Sequence, residues 1–189
     1  SWAVRLNAIL LGSFLGLGVY YITRRIYQNK KLAFLVSAAL LLLPAYHYVS
    51  LFFTTDVLAA TGWIFTTYFF WMATIKRKHR YWLLAGISMG LGLLGKYTLL
   101  YFFPFSLLYL LFTNRRLLLR KGYYIFVLSG LFLFLPVIIW NLNNDMTGVL
   151  HVAHLAGAGK DFPGWSKAFT YQSEFIGGQL LLNFPLLCL

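Results

Sequence analysis

The cations of this chain are sorted, and the sorting limits what it can fold into. Twelve of its sixteen Lys and Arg residues fall in three clusters: Arg24, Arg25, Lys30 and Lys31; Lys76, Arg77, Lys78 and Arg80; Arg115, Arg116, Arg120 and Lys121. None of the four acids lies within a cluster. Long apolar stretches separate the clusters, and cation-rich connections in a polytopic chain stay on the cytoplasmic side. The pattern therefore predicts three cytoplasmic loops. Asp56, Asp145, Asp161 and Glu174, with His47, His151 and His154, are expected at or beyond the opposite face, and any chemistry with them.

A chain that is 60% hydrophobic and 11% charged departs from the usage of soluble domains, which carry about 25% charged residues. It reads as an integral membrane protein. A net charge of +12 would suggest nucleic acid in a soluble protein. Here the cations flank apolar spans, so their work is orientation first and attraction to anionic headgroups second; no nucleic-acid partner is expected. The single cysteine, Cys188, permits no internal disulfide. The chain opens Ser1-Trp2-Ala3 and stops at Leu189 in an apolar run. It is expected to be an internal fragment of a longer polytopic protein, with residues 1–189 forming one transmembrane domain.

The expected fold is an all-α transmembrane bundle of six complete spans and one partial span. Span one covers about 6 to 23 and ends at the first basic cluster; span two, about 32 to 53, returns; span three, about 57 to 75, descends from Asp56 to the Lys76 cluster. Between the second and third clusters both ends must be cytoplasmic, which requires a hairpin of two short helices, about 81 to 95 and 98 to 113, turning at Gly95-Lys96-Tyr97. A 15-residue helix reaches roughly 22 Å, less than the roughly 30 Å hydrocarbon core, so the Lys96 turn is expected below the outer surface. Another span, about 123 to 141, carries Pro136 as an expected kink and Trp140 as an interfacial anchor. A polar outer loop, Leu142 to Tyr171, contains VLHVAHLA, expected as a short amphipathic helix, and a partial span begins at Phe175.

Asp56 is the leading candidate for function, because a carboxylate at the mouth of a span must be solvated or paired. It is also a candidate helix cap for the amides of Leu58 or Ala59. Lys96, at the hairpin tip, either snorkels to headgroups or grips an anionic group such as a lipid phosphate; Arg5 carries the same two readings. His151 and His154 share a helix face and read as loop residues touching a polar substrate, since two histidines with scattered acids do not make a metal motif. No metal or other cofactor is expected. Glu174 reads as an acid favoured at a helix start, and Gly86, Gly90, Gly92 and Gly95 as positions of close helix packing.

The order of several segments resembles a known family. These are Trp2-Ala3-Val4-Arg5-Leu6, Arg24-Arg25-Ile26-Tyr27, Thr54-Thr55-Asp56, Trp82-Leu83-Leu84-Ala85-Gly86, Gly90-Leu91-Gly92-Leu93-Leu94-Gly95-Lys96-Tyr97 and Pro136-Val137-Ile138-Ile139-Trp140-Asn141. Together they resemble the bacterial dolichyl-phosphate-mannose-protein mannosyltransferase-like family, of the glycosyltransferase C fold, which includes aminoarabinose transferases. The resemblance implies an inner-membrane enzyme that passes a sugar from a polyprenyl-phosphate carrier to a lipid or protein acceptor at the periplasmic face, with inversion. It puts the leading catalytic acid in a loop preceding the segment Trp2 to Leu6, and implies a supporting role for Asp56. Lys96, Arg5 and the neighbouring Tyr97, with the two loop histidines, are the expected substrate-binding side chains. A transporter or flippase for a lipid-linked or anionic substrate, favoured by inverted repeats, and a purely structural subunit are the alternatives.

Overall fold

The computed structural model describes residues 2–44, 46, 55–155, 157 and 165–187, leaving aside the side chains of 2–5, 8, 165–168 and 181–187. These residues form helices and no strands. In chain order they are α1 (Trp2–Tyr27), α2 (Lys30–Leu42), α3 (Thr55–Lys76), α4 (His79–Gly95), α5 (Phe102–Asn114), α6 (Lys121–Asn143), α7 (Thr147–Leu155) and α8 (Trp165–Leu187). Short 3₁₀ helices, Tyr97–Tyr101 and Arg115–Leu117, flank α5.

Helix α4 is the centre of the bundle, packed between α3 and α6. Glycine makes both contacts possible. A Cβ on Gly86 would lie 1.9 Å from the Ser129 hydroxyl and one on Gly90 2.6 Å from Leu133 Cβ, so this face abuts α6. A Cβ on Gly92 would lie 2.9 Å from Gly62 Cα and one on Gly95 2.9 Å from the Thr55 carbonyl, so the other face abuts α3. Small residues bring helix backbones together where lipid supplies no hydrophobic drive. Around this seam Phe70 makes edge contacts with Trp82, Phe102 and Phe126, with ring centroids 5.4, 5.5 and 5.4 Å apart. Such geometries suit the ring quadrupoles. Outside this core, α1 pairs with α2 and leans on α3, where Phe14 stacks on Phe65. Phe132, 72% exposed in the middle of α6, is at home against lipid rather than water.

Three helical runs among the described residues are long and apolar enough to cross a membrane: Thr55–Lys76, Tyr97–Leu117 and Lys121–Asn143. The expected count of six complete spans and one partial span is not confirmed among the described residues. Helix α2 is described only to Leu42, residues 45 and 47–53 of the second expected span lie outside the described residues, and α4 has 17 residues.

The hairpin turns at Lys96, as expected, but its second arm is longer than the sequence reading allowed. Pro104 lacks an amide hydrogen, and its ring clashes with the carbonyl four residues earlier in an α-helix. The run Tyr97–Tyr101 winds as 3₁₀ instead, which rises about 2.0 Å per residue against 1.5 Å. With the second 3₁₀ turn, the arm extends roughly 35 Å and matches the roughly 30 Å core. The first arm, α4, has 17 residues and reaches roughly 26 Å, so only this arm remains shorter than the core. The last helix also differs from expectation. It begins at Trp165 rather than Phe175, so Glu174 lies well inside α8 and is not a helix-start acid.

Candidate functional site

The three basic clusters converge at one end of the bundle. Arg24, Arg25, Lys30 and Lys76 line one cavity there, and Arg77, Arg115, Arg116 and Arg120 another. The α1–α2 and α3–α4 connections are two residues each, led by Gln28 and Arg77 in the left-handed region (φ 53° for both). Gln28 N–H donates to the Arg24 carbonyl and Arg77 N–H to the Ala73 carbonyl, both at 2.9 Å. These contacts satisfy carbonyls that helix ends otherwise leave open.

At the opposite end, Asp56 and Lys96 form an ion pair across forty residues of sequence. Asp56 sits in the first turn of α3, where the helix dipole favours an acid. Its carboxylate accepts from Lys96 and, among the described residues, not from the amides of Leu58 or Ala59; the capping reading gives way to the ion pair. Lys96 is placed by the break between α4 and the 3₁₀ turn, where its backbone is extended (φ −154°, ψ 131°) and its N–H donates to the Gly92 carbonyl at 3.1 Å. The two side chains are 40% and 49% exposed, so the pair is within reach of a ligand.

An apolar cavity of about 330 Å³ lies between α1, α3 and α4. Leu58, one residue beyond Val57 from Asp56, and Gly92, whose carbonyl holds the Lys96 amide, both line it, with Leu11, Phe14 and Phe65. It is an apolar slot that Asp56 and Lys96 do not themselves line; the pair stands within about one helical turn of it, two residues before Leu58 on α3 and four after Gly92 on α4.

Tyr97 faces another partner. Asn141, 3% exposed near the end of α6, donates from Nδ2 to the Tyr97 hydroxyl at 3.3 Å and to the Val137 carbonyl at 2.9 Å. Its Oδ1 accepts from the Val149 amide at 3.2 Å, and its carbonyl from the amides of Asn144 and Met146 at 3.2 and 2.9 Å. Asn141 thus ties the hairpin turn to the end of α6 and the start of α7. The sequence reading used Asn141 only as the last letter of a resembling segment. A lone buried amide in an apolar span was the signal that could have singled it out, since such a group needs partners.

His151 and His154 lie on α7 as expected, both exposed, and this helix joins the site through Val149. A Cβ on Gly148 would lie 2.8 Å from Asn141 Oδ1 and 3.0 Å from the Tyr97 hydroxyl, so α7 starts hard against them. Asp145 occupies the left-handed turn before α7 (φ 52°). Arg5 lies near the start of α1; its side chain, like all of His47 and Asp161, lies outside the described residues. No group of three or more metal-ligating side chains forms among the described residues.

No curated protein and no solved structure matches the chain. The family model described as dolichyl-phosphate-mannose-protein mannosyltransferase matches residues 1–140, a span that contains the basic clusters, the ion pair and the apolar slot. Membership implies a membrane glycosyltransferase that uses lipid-linked sugar. On this match, and on a bundle whose helices are built to cross a bilayer, the chain belongs to the dolichyl-phosphate-mannose-protein mannosyltransferase family.

Proposed function

We propose that the chain is the membrane domain of an inverting glycosyltransferase that takes its sugar from a polyprenyl-phosphate carrier at the extracytoplasmic face of a bacterial inner membrane, as part of a longer protein with more spans than the three counted above. The observation that carries this reading is the exposed Asp56–Lys96 pair, at the end remote from the clustered cations and within about one helical turn of residues lining the apolar slot. The positive-inside rule assigns the basic end to the cytoplasm and hence the ion pair to the other side.

The slot suits part of an isoprenoid chain, leaving the phosphate beside Lys96. An arriving phosphate competes with Asp56 for the ammonium, which then stabilises charge developing on the leaving phosphate. In the transfer, a bond forms between the acceptor hydroxyl oxygen and the anomeric carbon while the bond from that carbon to the phosphate oxygen breaks. The hydroxyl proton passes to a carboxylate base. The resemblance assigns the leading base to a loop before Trp2; Asp56, released from Lys96, supports it by orienting the acceptor or sugar. Tyr97, Arg5 and the exposed His151 and His154 contribute hydrogen bonds to the sugar or phosphate.

The test is sugar transfer in membranes containing the full-length protein, with a radiolabelled polyprenyl-phosphate sugar pool and matched expression. Asp56→Asn and Lys96→Ala are expected to lower transfer by about a hundredfold, the scale of removing one preorganised electrostatic contact. Undiminished transfer by both folded variants removes the pair from the site.

A further inference from the structure

The basic end contains a feature that orientation alone does not use. Arg24 and Arg25 on the last turn of α1, Lys30 at the start of α2 and Lys76 at the end of α3 line one cavity of about 830 Å³ with no acid in its wall. Among the described residues none of the four has a carboxylate partner; the ion pair there is Asp56–Lys96. The C-termini of α1 and α3 supply about −0.5 charge each and the N-terminus of α2 about +0.5. Helix dipoles thus offset only a small part of four positive charges, and the cavity retains a strong preference for an anion.

The same cavity has an apolar wall that leads away from it. Ile26 and Trp71 line both the basic cavity and a second one of about 500 Å³ between α1 and α3, bounded also by Ile22, Trp63, Ile64 and Tyr68. A charged cup continuous with an apolar groove fits an amphiphile, with its phosphate among the cations and a hydrocarbon chain along α3. A soluble phosphate compound would leave the groove unused. A reacting donor is also excluded, because α3 has 22 residues and its length, roughly 33 Å, separates this cup from Asp56.

We propose that the α1–α2–α3 basic cup is a binding site for an anionic glycerophospholipid of the surrounding bilayer, one acyl chain lying in the Ile22–Trp71 groove, as a resident lipid distinct from the sugar donor. Basic pockets between membrane helices bind anionic headgroups in this way, each nearby cation strengthening attachment roughly fivefold.

The experiment is native mass spectrometry of the full chain released from nanodiscs containing equal phosphatidylglycerol and phosphatidylcholine. The unaltered protein is expected to retain one phosphatidylglycerol. The triple variant Arg24→Gln, Arg25→Gln, Lys76→Gln is expected to bind it about a hundredfold more weakly. A control with equal charge loss, Arg115→Gln, Arg116→Gln, Arg120→Gln, is expected to keep it. Thr67→Trp, which fills the groove that Thr67 lines without changing charge, is expected to lower retention, and circular dichroism checks that each variant is folded. The proposal is overturned by equal retention of both phospholipids, by equal losses in both triple variants, or by retention of added polyprenyl phosphate in place of phosphatidylglycerol.

Discussion

The two ends of the bundle handle charge in opposite ways. At one end cations gather without a carboxylate among the described residues, on two-residue turns and a 3₁₀ corner. At the other, one cation meets one acid, and a buried amide binds three segments of backbone and side chain. A surplus of one sign sets orientation and draws anionic partners, while a matched pair and a satisfied amide hold a local geometry. The first kind of charge acts as a sum; the second depends on each member.

That contrast can be broken most severely at the frame both ends share. Gly86→Val drives a branched side chain into Ser129 and the Phe126 carbonyl. Overpacking of this kind costs about 3 kcal/mol or more, and loss of monodisperse protein in detergent is the expected outcome. A next test exchanges the pair, combining Asp56→Lys with Lys96→Asp. Folding should survive while transfer falls about a hundredfold, because the ammonium now stands on the wrong helix; equal activity in the exchanged protein would make the pair a structural tie alone. Asn141→Ala leaves the Val149 amide and the Tyr97 hydroxyl short of a partner. A loss of roughly 1–3 kcal/mol per orphaned buried group follows, read as a lowered thermal transition. Smallest is Arg116→Gln at the basic end. One exposed cation among many should change stability by less than about 0.5 kcal/mol, and a larger change would show that the basic end also depends on individual members.

Much of the frame was legible because apolar membrane helices leave few other signals. Charge clusters set the helix ends, Gly95-Lys96-Tyr97 interrupted an apolar run and became the turn, and the glycines of α4 proved to be contact positions. Periodicity does not tell which way a uniformly apolar helix faces, so the pairing of Asp56 with Lys96 and the split of the glycines between α3 and α6 had to come from the packed structure. The 3₁₀ winding before Pro104 was missed because hydropathy counts residues and ignores rise. The early start of α8 was missed because residues 165–171 were placed in the polar loop and Glu174 was taken for the acid at the helix start, though Gln172, Ser173 and Glu174 lie exposed along a helix.

Arg77 holds a left-handed turn position that glycine would occupy with less strain, at a difference of about 1 kcal/mol. Glycine there would ease the backbone and remove one of the four cations facing the Arg115 corner. Conformational ease and charge therefore pull this position in opposite directions, and a variant selected for thermal stability alone would be steered toward a less cationic basic end.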